Sequence, residues 1–192
     1  MATVQIRSDL VSSAGRAVHD VALGALVGGN LFGRVAMNPA LADVSDKSER
    51  GRVLNRAWRR YGTVNSLALA ALISGWAPAR FGEADPRWLS DRERRLATAK
   101  DVAMGAVVLT GLASAASGVS FAQQVPHGAV PMQSGHDTAP EAPPRAARLK
   151  RAVNALGALN LVSELALVAV NASLAQANFR RPPVRRVLRR RY

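Results

Sequence analysis

The stretch AVNALGALNLVSELALVAVNASLAQANF, residues 152–179, decides the fold, because Glu164 is its only formally charged side chain. As a helix rising about 1.5 Å per residue it would run roughly 42 Å, more than the ~30 Å hydrocarbon core of a bilayer. Wound at about 100° per residue, Gly157, Asn160, Glu164, Leu167, Asn171 and Asn178 fall in one narrow arc. The other faces carry Leu156, Leu159, Leu161, Val162, Leu165, Val168 and Val170. This pattern is an apolar surface with one polar seam, and a polar seam inside a membrane must face protein or a wet cavity. The expected fold is all-α: an integral membrane bundle of four antiparallel helices.

Three further apolar blocks support that expectation. With the last one they set spans of about 17–41, 61–79, 102–125 and 152–179 in a single membrane domain of 192 residues. Mean hydropathy is near zero only because the 26 basic and 13 acidic residues lie mostly between the blocks. Asp20 and Arg34 interrupt the first block, where Arg16, His19, Asn30, Arg34 and Asn38 share a face. Gly24 with Gly28, and Gly29 with Gly33, form two small-residue pairs that permit close helix contact in lipid. Asn38-Pro39 marks an end or a kink.

Asp46 and Ser90 read as helix caps, the latter opening a capping box with Glu93. Trp58 and Tyr61 suit the headgroup level ahead of the second span. Residues 123–144 are rich in Pro, Gly, His, Gln and Ser without periodicity, which predicts a loose loop. The tail, 180–192, holds seven arginines.

Four spans put both termini on one side. That side would carry 15 Lys and Arg, the opposite side 10, so both termini are expected in the cytoplasm. Richness in Ala, Arg, Gly and Val with three lysines suggests a GC-rich bacterial genome, hence a bacterial plasma membrane. No cleavable signal pattern opens the sequence, and the first span is expected to act as an uncleaved signal-anchor.

Cysteine is absent, which excludes disulfides, thiolate metal sites and cysteine nucleophiles. A net charge of +13 raises nucleic acid as a partner, but the arginines flank apolar segments as topology signals do, and no aromatic platform accompanies them. Expected contacts are therefore the lipid bilayer and membrane proteins or further copies of the chain, with no nucleic acid. His127 and His136, nine apart in the loop, are too weak a set to assign a metal, and no cofactor is identified. Phosphate-loop, HExxH and Ser/His/Asp patterns are absent.

Candidate ligand-binding residues are Asn30, Arg34, Asn160, Glu164 and Asn171, none with an assignable catalytic role. Reading depths from Ala40 and Ala152, Glu164 should face the first span beside Asn30, with Arg34 the nearest cation. His19 reads as a solvated helix end next to Asp20.

Residues 28–41, Gly-Gly-Asn-Leu-Phe-Gly-Arg-Val-Ala-Met-Asn-Pro-Ala-Leu, resemble the opening helix of the small four-helix membrane proteins grouped with anthrone oxygenases. In those a glycine–aromatic helix ends in a Pro-Ala-Leu-like turn, followed by a basic stretch that would here be 50–65. The resemblance covers about a fifth of the chain and implies the four-helix architecture, drawing attention to Asn38 and Pro39. Three roles follow as expectations: a non-catalytic small-ligand binder or accessory subunit, an oxygenase-like enzyme acting on an apolar aromatic or quinone-like substrate, and proton or ion movement through Glu164.

Overall fold

The computed structural model describes residues 2–78, 80 and 90–179, and within these the chain is all-helical. Four long helices account for it: α1 (Ala2–Phe32), α2 (Lys47–Pro78), α3 (Asp91–Ala122) and α4 (Pro144–Phe179). Each begins ahead of its apolar block, because the start signals lie in the polar sequence. Asp46 Oδ1 accepts from Glu49 N at 2.7 Å, and Ser90 and Glu93 close a reciprocal capping box. The third helix ends at Ala122 rather than at 125. The tail 180–192 and part of the connection between α2 and α3 lie outside the described residues.

Pro39 neither stops nor sharply breaks the first helix. Instead α1 widens into a π segment, Gly33–Met37, and continues through Asn38–Ala40 before a 3-10 turn at Leu41–Asp43. A proline ring collides with the carbonyl four residues back, here Val35, which lies inside the widened segment.

Neighbouring helices run antiparallel. Of the two glycine pairs of α1 only the second lies against α2: a Cβ at Gly33 would stand 2.6 Å from the Trp58 ring, and one at Gly29 would overlap Tyr61. Tyr61 Oη donates to Ala25 O at 2.7 Å, so these aromatics serve the helix contact. Gly24 and Gly28 face open space. α3 lies along α4, and α1 contacts α4 to join the two pairs.

α3 and α4 are long and apolar enough to cross a membrane, and most of that apolar surface points outward. Leu109, Leu112, Leu159, Val162, Leu165 and Val168 are all exposed. Inside, Leu23, Leu26, Leu72, Met104, Val107 and Leu167 form one buried apolar layer.

The connection between α3 and α4 corrects the loose loop expected at 123–144. Val130 and Met132 are fully buried against Leu41, Leu54 and Phe121, and the segment caps one end of the helices. Its backbone is held by groups far off in sequence. Met132 N donates to Lys47 O and Gly135 N to Asn38 O, both at 2.9 Å, while Asn55 Nδ2 donates to Gly128 O at 2.7 Å. The Arg50 guanidinium gathers the carbonyls of Ala42, Val44 and Gln133 at 3.0, 2.6 and 2.7 Å. Buried backbone groups need partners, and an aperiodic segment obtains them from side chains.

Candidate functional site

The interface of α1 with α4 carries polar groups at three levels. As residue numbers rise along α1 the contacts on α4 fall, which is the antiparallel seam expected from the sequence. At one end Asn171 Nδ2 lies 3.3 Å from His19 Nδ1 and donates to Asp20 Oδ1 at 3.2 Å. His19 is buried, not solvated as expected: only 3% of it is exposed, Nδ1 is 3.0 Å from Asp20 Oδ1, and Nε2 has no partner.

The middle level is built on Glu164, which is 1% exposed. One turn earlier on the same helix, Asn160 donates through Nδ2 to Glu164 Oε1. The Thr110 hydroxyl of α3 stands 2.8 Å from Asn160 Oδ1 and 2.6 Å from Ala106 O, sharing one proton between two acceptors. From α1, Asn30 stands beside the carboxyl and donates through Nδ2 to Gly157 O at 3.3 Å. Glu164 Oε2 is buried without a hydrogen-bond partner. An orphaned buried acceptor is uncommon in a folded protein and asks for an explanation.

Arg34 sits at the outer level and does not pair with Glu164. Its Nη2 donates to Asn154 O at 2.6 Å, and a Cβ at Gly157 would approach it to 3.1 Å. Asn154 Nδ2 in turn donates to His136 O at 2.8 Å, tying the cap to the seam. His136 Nε2 lies 3.5 Å from Asn38 Nδ2, and Asn38 Oδ1 is buried without a partner. Burial, with the charges of Lys150 and Arg34 beside it, holds the His136 imidazole below its ordinary range, while Asp137 pulls the other way.

All five candidates, Asn30, Arg34, Asn160, Glu164 and Asn171, therefore lie on one seam, though not in one pocket. Between Glu164 and the His19 end, Leu23 and Leu26 of α1 and Leu167 of α4 belong to the buried apolar layer. Sequence reasoning missed Thr110, Asn154 and the partnering role of His136. Asn154, three residues ahead of Gly157, falls about 60° outside the arc that Gly157 shares with Asn160 and Glu164 at about 100° per residue, so spacing did not single it out. Thr110 carried no signal beyond being a hydroxyl inside an uncharged block. Among the described residues no three metal-binding side chains converge. No family model, curated protein or solved structure matches this sequence.

Proposed function

We propose that this chain crosses a bacterial plasma membrane four times, with both termini cytoplasmic, and that its α1–α4 seam binds a small ligand, either as a binder in its own right or as an accessory subunit. Glu164 carries this reading: a carboxyl 1% exposed, with one oxygen bonded and the other unpartnered, surrounded by helices whose outer faces are apolar. Placing an acid at mid-membrane costs about 2.5–3.5 kcal/mol on insertion scales, so such a residue is retained for a partner or a task. A ligand fitting Oε2 offers a hydrogen-bond donor or a cationic group on a small apolar body.

Protein purified in mild detergent, wild type beside Glu164→Gln, provides the test. Mass spectrometry of the extract should find a compound retained by wild type and depleted in the variant. Identical extracts from two equally folded proteins would remove the binding reading. Reporter fusions near Ser134 and after Tyr192 test the topology: an external signal from the first and a cytoplasmic one from the second are expected, and the reverse overturns the arrangement.

Proton movement is the second reading, favoured by one observation. His19 Nε2 is another buried, unpartnered atom on the same seam. Against it stands the apolar layer that separates the two levels. Proton flux into liposomes that vanishes in both Glu164→Gln and His19→Gln would turn the preference to this reading. An oxygenase-like activity rests on the resemblance of residues 28–41.

A further inference from the structure

We propose that Arg34, His136 and Lys150 form a binding site for an oxyanion, a phosphate or carboxylate group, at the capped end of the seam. Register brings the three together. Arg34 and Asn38 are one turn apart on α1, Lys150 and Asn154 one turn apart on α4. The two pairs face each other because Arg34 Nη2 reaches Asn154 O at 2.6 Å. The cap lays His136 between them, its carbonyl on Asn154 Nδ2 at 2.8 Å and its Nε2 3.5 Å from Asn38 Nδ2.

Lys150 is 5% exposed, and its ammonium lies 5.8 Å from the centre of the Phe121 ring. Among the described residues neither Lys150 nor Arg34 is in an ion pair. The acid that acts on Lys150 and His136 is Asp137, which is exposed and accepts from Ser134 Oγ at 3.3 Å. Glu141 is taken by Lys47 at 2.9 Å. The Lys150 ammonium and the Arg34 guanidinium thus lie close enough to repel one another, and among the described residues neither is paired with a carboxylate, an arrangement that calls for a negative partner.

An oxyanion supplies it. The guanidinium fork matches two oxygens of a carboxylate or phosphate, the ammonium serves as a point charge, and the imidazole keeps one N–H donor. Asn38 Oδ1, buried and unpartnered, is an acceptor for the hydroxyl of a protonated phosphate or of a glycerol headgroup. The phosphate can come from solution or from a phospholipid.

The experiment uses the full chain in a neutral detergent and follows its thermal midpoint. One arm adds inorganic phosphate, against chloride at equal ionic strength; the other adds phosphatidylglycerol, against phosphatidylcholine. At roughly 100 times the Kd a bound anion should raise the midpoint by about 5–10 °C. A response to phosphate identifies a soluble anion, and a response to phosphatidylglycerol alone identifies a headgroup. Lys150→Met and Arg34→Met should abolish the shift, while Lys150→Arg keeps it. Without added anion, Lys150→Met should melt no lower than wild type, since it removes an uncompensated charge and keeps the stem. Equal shifts with chloride, no shift in either arm, or a shift undiminished in Lys150→Met would overturn the site.

Discussion

Arg34 and Glu164 share the α1–α4 seam without meeting: the guanidinium donates through Nη2 to the Asn154 carbonyl at 2.6 Å, and the acid is held by Asn160. A cation and an acid on facing helices would ordinarily be read as a pair. Here the arginine instead fastens α1 to the helix turn that carries the cap, because Asn154 also holds His136 O. Arg34→Met should lower stability by about 1.5–3 kcal/mol, the range for a charge-assisted hydrogen bond. Combined with Glu164→Gln, its effect should add with a coupling below about 0.5 kcal/mol. Unfolding of the two single variants and the double variant measures this, and rescue in the double would restore the ion pair.

The two glycine pairs of α1 separate contact from composition. Gly29 and Gly33 lie against Tyr61 and Trp58, whereas Gly24 and Gly28 meet nothing within 4 Å. Gly33→Ala should destabilise by roughly 1–3 kcal/mol through overpacking. Gly28→Ala should be neutral or slightly stabilising, alanine being about 1 kcal/mol better in a helix interior. Thermal midpoints of the two variants should therefore move apart, and matching losses at both positions would place a second helix on the open pair.

Much of this was legible in the sequence, and the limit has a physical cause. Charge and cap patterns located Asp46, Ser90 and the four helices, since these signals act within one turn. The seam was legible because Asn160, Glu164 and Asn171 repeat at helical spacing in otherwise apolar sequence. The cap was not, because nothing periodic holds it: Arg50, Asn55, Lys47 and Asn38 reach its backbone from 70 to 100 positions away. Arg34 was placed on the right face and assigned the wrong acceptor, as spacing ranks side chains but carries no record of carbonyls.

Arg50 tests whether the cap belongs to the fold. Its guanidinium donates to Ala42, Val44 and Gln133 and lies 3.4 Å from Met132 O. Arg50→Lys keeps the charge but loses the planar fork, so it should not rescue. Both Arg50→Lys and Arg50→Ala should cost at least about 2 kcal/mol and open residues 123–143 to protease. Wild-type resistance in Arg50→Ala would mean that Met132 and Val130 hold the segment alone.

Thr110 has a comparable role at the middle level. Replacing it by valine keeps the volume but leaves Asn160 Oδ1 without the hydroxyl at 2.8 Å. The expected loss is about 1–3 kcal/mol, the range for an unsatisfied buried acceptor, and Thr110→Ser should recover most of it. Denaturant titration of both variants checks this. A stable Thr110→Val would mean that Ala106 O is the true acceptor of that proton.

The cap should loosen on mild acidification, and the sign follows from His136. Its imidazole is held below the ordinary value of 6.5 by burial and by Lys150 and Arg34. As pH falls past about 6.5 the unfolded chain binds a proton that the folded chain refuses, so stability declines until the folded imidazole also titrates. Glu141 acts at lower pH: its bond to Lys47 holds the carboxyl below its ordinary 4.5, and that contribution disappears only as pH falls through the folded value. Lys150, whose ammonium is held down at about 8 by burial, also titrates near the top of the range from about pH 7.5 to 5, so the His136 share is read as the difference between wild type and His136→Gln. Hydrogen exchange at Gly135, whose N–H is donated to Asn38 O, should grow more open toward pH 5 than intrinsic chemistry allows. In His136→Gln the extra opening should vanish, while His19 and His127 remain common to both proteins. The same acid-dependent opening in the variant would mean that His136 is not the switch.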